Sequence, residues 1–352
     1  MKDISVEILR IIDANINRTG EGLRVLEEFA RLSLDNGYLT QQLKDLRHKA
    51  LHTGTDLQKQ LLNARDAAQD VGSVMEVTGE TGSKNATEIV IANARRVQES
   101  LRVLEELSKT PGTGLNSENY RQGRFEIYTL EKELLGRLTR QDLVEKITGL
   151  YVIIDTEWIK GRNLEELALQ VIQGGAKTIQ LRCKTGNKRE FLSMALTLKE
   201  VCLRKGIPFI VNDSLEIALA CKADGLHIGQ EDLPAKIARK LIPIDMILGV
   251  SARTLKEAKN ALKDGADYLG VGAVFDTKTK ASAAIGLKNL RSIKEGINLP
   301  VVAIGGINKD NILSAMRAGA DASAVISAVL GAEDVKRATS ELERIIRGQK
   351  HE

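Results

Sequence analysis

LYVIID (150–155), NLEELALQVIQGGA (163–176) and KTIQLR (177–182) follow one another, with seven residues between the first two and none between the last two. The first and third are short, β-branched runs of strand length. The middle stretch carries apolar residues at helical spacing and ends in Gly-Gly-Ala, as helices do before a following strand. A strand, a helix and a second strand in so short a span form a βαβ unit, which demands a parallel pairing.

Working outward, the same grammar continues toward the C-terminus. Six more strand-like runs appear: PFIVND (208–213), GLHIG (225–229), ILGVS (247–251), YLGVGAVF (268–275), PVVAIGG (300–306) and ASAVISAV (322–329). Helical segments such as TLKEAKNALKDGA (254–266) separate them. Eight βα units in about 200 residues predict an α/β (β/α)8 TIM barrel over 147–347. No GxGxxG follows the first strand, which argues against a doubly wound dinucleotide fold.

Toward the N-terminus the grammar changes. Residues 1–140 read as an all-α domain containing an internal duplication. LRVLEE occurs at 23–28 and again at 101–106, and the match extends upstream as ANINRTGEGLRVLEE (14–28) and ANARRVQESLRVLEE (92–106). Asn15/Asn93, Arg18/Arg96 and Glu21/Glu99 recur in step. Ile8, Ile12, Ile16, Leu23, Leu26 and Ala30 share one helical face, matched by Val90, Ala94, Leu101 and Leu104. A second helix is expected after each copy, in LKDLRHKAL (43–51) and YRQGRFEIYTLEKELLGRL (120–138). VTGETGSKN (77–85) and TPGTGLNSEN (110–119) read as loops.

Composition narrows the class. A hydrophobic share of 43% with 28% charged residues suits a globular chain with ample core. The net charge of +4 comes without a dense Lys/Arg block, and aromatics are only 3%, so anionic small molecules fit better than nucleic acid. Cys183, Cys202 and Cys221 lack CxxC spacing and read as free thiols of a reducing compartment. No signal peptide or uninterrupted apolar run of spanning length is present, so no membrane association and a cytoplasmic location are expected. Homo-oligomer formation is compatible with the sequence.

Barrel active sites form where the strands end. The ends here carry Asp155, Gln180–Arg182–Lys184, Asn212–Asp213, His227, Gln230, Asp232, Ser251, the DTKTK run from Asp276, Gly305–Gly306 and Ser327. Gln180 and Arg182 share one side of their strand, and with Lys184 they suit a phosphorylated substrate. Snorkelling cations at a barrel rim would leave the same letters. Asp213 and Asp232 end neighbouring strands and can share a hard cation, although either could cap a helix. Thr277 and Thr279 alternate with Lys278 and Lys280 on one loop, where a solvated surface loop is the simpler reading. Gly306 and Ser327 stand where barrels bind phosphate through backbone N–H groups. His227 lies inside a strand pattern and reads as a packed or orienting residue. The residues thus describe a Mg2+-dependent barrel enzyme handling two anionic groups.

In this order QLRCK, VND, HIGQED, GVSA, TKTK, AIGGI and VISAV resemble thiamine-phosphate synthase over roughly 148–345. The resemblance implies a transferase of thiamine biosynthesis that joins hydroxymethylpyrimidine pyrophosphate to a thiazole phosphate and releases pyrophosphate. It assigns the pyrimidine and its pyrophosphate to Gln180, Arg182, Lys184, Asn212, Ser251 and Lys280. Arg182, Lys184, Ser251 and Lys280 carry the catalytic role. Mg2+ falls to Asp213 and Asp232, and the thiazole phosphate to Thr277, Thr279, Gly306, Ile326 and Ser327. Ala273 and Asp276 stand where the family usually has prolines.

The duplicated helices resemble the N-terminal extension of some bacterial members, which is linked to phosphorylation of hydroxymethylpyrimidine phosphate. No Walker-type loop supports a kinase independently. A non-catalytic dimerisation or regulatory module is the alternative for this half. For the barrel, the alternative is another phosphate-binding isomerase or aldolase. A Schiff-base aldolase would need an inward lysine, and none of the eight runs offers a convincing one.

Overall fold

A computed structural model describes residues 4–66, 85–277 and 283–348, and the chain divides into two compact units, Met1–Thr139 and Arg140–Glu352. Among the described residues every element of the first unit is helical: α1 (Val6–Glu28), a π-helical turn (Phe29–Ser33), α2 (Gly37–Leu51), α3 (Thr55–Ala64), α4 (Ala86–Leu107) and α5 (Ser117–Glu145). The end of α5, from Arg140 on, falls in the second unit. Side chains close the helix starts. Ser5 accepts from the Ile8 N–H and Asn36 from the Leu39 N–H, while Asn85 and Glu88 form a reciprocal capping box.

The duplicated apolar faces meet in one core. Ile12, Leu23, Leu26 and Ala30 are buried with Val90, Ala94, Leu101 and Leu104, while Ile8 and Ile16 pack partly buried at the margin. At Gly22 the helices come so close that an added Cβ would stand 2.7 Å from Val97 Cγ2 and 3.1 Å from the Asn93 carbonyl oxygen. The first half holds one helix more than the long-helix, break, second-helix reading, namely α3. Most of the loop expected at 77–85 lies outside the described residues; that at 110–119 gives way to α5 from Ser117.

The repeated charges also have structural work. Glu27, buried on α1, accepts from Arg24 at 3.0 Å and from Arg47 of α2 at 3.0 Å. Its counterpart Glu105, buried on α4, accepts from Arg102 at 3.1 Å and from Arg124 of α5 at 3.1 Å. Each copy of LRVLEE therefore ties its own helix to the one that follows. Asn15 and Asn93 donate their side-chain amides to carbonyls four residues back, at 2.8 and 2.9 Å.

In the second unit eight parallel strands close on themselves in sequence order: β1 (Gly149–Asp155), β2 (Thr178–Arg182), β3 (Phe209–Asn212), β4 (Gly225–Ile228), β5 (Ile247–Ala252), β6 (Tyr268–Gly272), β7 (Val301–Ile304) and β8 (Ala322–Val325). Around them run α6 (Thr156–Ile159), α7 (Leu164–Gln173), α8 (Lys188–Lys205), α9 (Leu215–Ala220), α10 (Ala235–Leu241), α11 (Leu255–Lys263), α12 (Gly286–Glu295), α13 (Ile312–Arg317), α14 (Ser327–Leu330) and α15 (Val335–Gly348). The period of two along each strand sorts the side chains. Leu150, Val152, Ile154, Ile179, Leu181 and Val211 join the core beneath the helices. Tyr151, Ile153, Ile210, Ile247, Tyr268 and Val302 fill the barrel interior. The buried Arg140 closes the floor, donating to Asp267 at 2.9 Å and to the Ile244 carbonyl at 2.6 Å.

Three strands end earlier than the apolar runs suggest. β7 stops at Ile304 because Gly305 and Gly306 turn to φ of 96° and 65°, outside strand conformations. β8 stops at Val325, and the remainder of its run becomes α14. β6 ends at Gly272. A continuous apolar run does not reveal where strand gives way to helix.

Candidate active site

Continuing the inward register of each strand by two residues carries it from core to polar groups. Ile153 leads to Asp155, Gln180 to Arg182, Ile210 to Asn212 and Gly249 to Ser251. Arg182, Asn212 and Ser251 line a cavity of about 440 Å³ at the strand ends, and Asp155 is buried behind Arg182. Of the residues expected there, Gln180, Arg182, Lys184, Asn212, Asp213, Asp232, Ser251, Thr277, Gly306, Ile326 and Ser327 all line it. Thr279 and Lys280 lie outside the described residues.

On the β2 side, Arg182 forms an ion pair with Asp155, which is fully buried and also accepts from the Glu157 N–H at 3.1 Å. The guanidinium is thus fixed at the cavity wall. Lys184 Nζ stands 3.0 Å from Asp213 Oδ2. Asp213 follows β3 with φ 62°, a left-handed conformation that Asp tolerates better than most residues. That turn brings its carboxylate against Asp232, whose Oδ2 accepts from the Gly229 N–H at 2.7 Å. Burial, and then the neighbouring Asp213, push the Asp232 carboxyl up from its ordinary value. Asp232 therefore spends its side chain on the β4 loop and the Asp213 neighbour, not on the α10 start, where Pro234 is the cap residue.

Two facing carboxylates repel unless a proton or cation lies between them. Hard oxygen donors in such a pair fit Mg2+, which commonly takes one or two protein carboxylates plus substrate phosphates. Among the described residues no cluster of three or more His, Cys, Asp or Glu side chains could hold a metal ion. Any cation here would thus need ligands beyond the pair.

On the opposite side, Gly305, Gly306, Ile326 and Ser327 line the wall. A Cβ at Gly306 would collide with the Asp276 carbonyl, so the loop after β6 lies directly on this glycine turn. Asn311 Nδ2 donates to the Gly306 carbonyl at 2.9 Å and fixes the peptide.

The barrel interior holds a feature the sequence reading did not single out. Gln180 Nε2 donates to Tyr151 Oη at 2.9 Å, and Tyr151 Oη lies 3.2 Å from Tyr268 Oη. Tyr268 Oη is 3.1 Å from His227 Nδ1, whose Nε2 is 3.0 Å from Ser251 Oγ. Burial lowers the His227 pKa to about 4, so the ring is neutral near pH 7, and burial raises both phenols. His227 is packed in the interior with both ring nitrogens engaged. The two tyrosines were legible only as hydroxyl-bearing residues at inward positions of β1 and β6.

All three cysteines are free thiols, with Cys202 and Cys221 buried. Among the described residues no helix is long and apolar enough to cross a membrane.

Comparison with known proteins points one way. The family model described as thiamine monophosphate synthase matches residues 150–329, and the ThiD2 family model matches 10–133. A thiamine-phosphate synthase of Prochlorococcus marinus subsp. pastoris is 40% identical over 336 residues, covering 94% of this chain and 93% of that protein. The thiamine-phosphate synthase of Gloeobacter violaceus is 39% identical over 343 residues, covering 97% and 98%. The solved structure of a thiamine phosphate pyrophosphorylase from Pyrococcus furiosus, 42% identical, superposes with a TM-score of 0.53 and covers 60% of this chain and 98% of its own. Matched along nearly its whole length by these relatives, and through its barrel by the family model, the chain belongs to the thiamine monophosphate synthase family of transferases.

Proposed function

We propose that the barrel cavity joins hydroxymethylpyrimidine diphosphate to a thiazole phosphate through the residues described above. The observation that carries this reading is the division of one cavity into two anion-handling walls. Arg182, Lys184, Asp213 and Asp232 stand on one wall, and the Gly305–Gly306 turn with Ser327 on the other.

In this mechanism the carbon–oxygen bond to the diphosphate breaks first. Arg182, held by Asp155, and Lys184 donate to the oxygens on which charge develops. Bound at Asp213 and Asp232, Mg2+ would neutralise part of that charge. Gln180 and Asn212 hold the pyrimidine, whose amino group delocalises the methylene cation left behind. Thr277, Gly306, Ile326 and Ser327 hold the thiazole phosphate so that the ring nitrogen faces the methylene and forms the new carbon–nitrogen bond. Neither step needs a general base, in keeping with a neutral His227 engaged at both nitrogens. Thr279 and Lys280 complete the two sets by their place in the sequence.

Coupling of the two phosphorylated halves, assayed with the full chain with and without Mg2+, tests this directly. Thiamine phosphate should form only with both halves and the metal. No product with both present would overturn the reading.

For the helical unit the proposed role is phosphorylation of hydroxymethylpyrimidine phosphate, which would supply the barrel's own substrate. The ThiD2 family match over 10–133 supports it, as do the paired Arg18/Arg96 and Glu21/Glu99, which are exposed instead of being spent on the core. The internally satisfied clusters at Glu27 and Glu105 favour a purely structural module as the second reading. Full-length protein given ATP and the pyrimidine monophosphate decides between them. Diphosphate formation supports the kinase, and no turnover with no binding leaves the structural module.

A further inference from the structure

The chain of side chains from Gln180 to Ser251 can be satisfied in only two directions. His227 is neutral, so one ring nitrogen donates and the other accepts. Suppose the Ser251 hydroxyl donates to an anion in the cavity. Its oxygen is then left to accept from His227 Nε2–H, and Nδ1 accepts from the Tyr268 hydroxyl. The Tyr268 oxygen accepts from Tyr151, whose own oxygen accepts from Gln180 Nε2. With the amide turned this way, Gln180 offers the cavity its Oε1 as acceptor and its second Nε2–H as donor. If Ser251 instead donates to His227, every bond reverses and the amide turns over.

The strands leave room for this chain by carrying glycine beside it. A Cβ at Gly270 would stand 2.7 Å from His227 Cε1, and one at Gly249 would run into both His227 and Tyr268. Gly249 and Gly270 thus make room for the His227 and Tyr268 rings against the strands. Gln180, Tyr151 and Tyr268 are themselves buried.

We propose that this relay is a specificity device: an anion at Ser251 sets the amide of Gln180 to read a 4-aminopyrimidine edge and to reject the 4-oxo form. The amino group of the former donates and its neighbouring ring nitrogen accepts, the complement of Gln180 in the first direction. A 4-oxo pyrimidine presents the opposite pattern and leaves both amide groups facing like partners, the kind of mismatch that discriminates strongly in a buried site. Tyr151, Tyr268 and His227 act as positioning residues through Gln180. The inference rests on the proposed function, with Gln180 on the pyrimidine, and takes Ser251 to the diphosphate end of the same substrate.

Its test uses 4-amino-2,5-dimethylpyrimidine and the 4-oxo counterpart as competitive inhibitors of coupling by the full chain, with and without inorganic pyrophosphate. Wild type should favour the amino form, and more so when pyrophosphate is present. Tyr151→Phe and Tyr268→Phe should each reduce the preference by about tenfold or more, the loss of one buried hydrogen-bond partner. The double variant should lose no more than either single one, because one relay is cut only once. Ser251→Ala should abolish the pyrophosphate dependence, a readout that simple loss of packing would not move. If Gln180→Ala loses the preference while both tyrosine variants keep it, the relay is wrong and the reading of Gln180 stands. If Gln180→Ala keeps it, both fall.

Discussion

Lys184 Nζ stands 3.0 Å from Asp213 Oδ2, so a carboxylate proposed for a divalent cation already faces an ammonium. With a cation held by Asp213, Lys184 would be left to act on the diphosphate. Asp213→Asn keeps the left-handed backbone, which Asn also tolerates, but removes the charge. Coupling should fall on the order of 100-fold at fixed Mg2+ and recover in part as Mg2+ is raised. Chelation should abolish turnover of the wild type. Rates measured across a Mg2+ series decide the matter, and an unchanged rate in Asp213→Asn would remove this residue from the metal site.

Asp155 is the second point of attack, because its charged partner is the guanidinium proposed to carry charge in the reaction. The carboxylate is fully buried, whereas Arg182 keeps 18% of its side chain exposed to the cavity. Asp155→Asn preserves volume and the acceptor for the Glu157 N–H but leaves Arg182 without its counter-charge. Breaking a buried pair in this way costs about 3 kcal/mol. Denaturant unfolding should show that loss, and kcat should fall more than KM rises because the freed guanidinium no longer points at the leaving group. A stability loss with unaltered turnover would make the pair structural only.

The barrel was legible because the βαβ grammar repeats eight times and the inward letters change from apolar to polar at each strand end. Arg182 and Asn212 could be placed in the cavity by counting in twos from Gln180 and Ile210. The Asp155–Arg182 pair was not legible, since adjacent strands must be put in register before Asp155 and Arg182 become neighbours. The tyrosine relay was hidden for the same reason: Tyr151 and Tyr268 lie 117 residues apart and meet only when the barrel closes. In the helical half, the apolar letters of LRVLEE declared their face at once. The part played by Glu27 and Glu105 was not legible, because nothing local shows that Arg47 and Arg124 arrive from the next helix.

His227 makes the acid stability of the metal-free chain predictable. Its pKa is about 4 in the fold against about 6.5 when unfolded, with burial as the main cause and Asp232 opposing it. Tyr268 and Ser251 occupy its two nitrogens. Between these pH values the unfolded chain binds a proton that the native chain refuses, so stability from this group rises with pH up to about 6.5 and is level above. Because part of the ring faces the cavity, the loss on acidification should be on the order of 2 kcal/mol rather than the full shift. Unfolding curves from pH 7 down to 4 should show it, and His227→Gln should flatten that part of the slope. An equal slope in both proteins would assign the acid sensitivity to other groups.

Glu27 and Glu105 offer a way to separate the scaffold of the helical unit from whatever it binds. Each buried carboxylate accepts from an arginine on its own helix and from one on the next. Replacing either by Gln keeps the shape but removes the charge shared by two guanidiniums, a loss of about 1–3 kcal/mol. Because the two clusters are built alike, Glu27→Gln and Glu105→Gln should cost nearly the same. Double-mutant cycles of Glu27 with Arg47 and of Glu105 with Arg124 should return similar coupling energies. Arg18 is exposed and lies outside both clusters, so Arg18→Ala should leave stability within about 0.5 kcal/mol. If Arg18→Ala abolishes binding of the pyrimidine monophosphate at unchanged stability, the repeated polar residues divide into a structural pair and a ligand-facing set. If it unfolds the unit instead, Arg18 belongs to the scaffold and the exposed set loses its claim to a ligand.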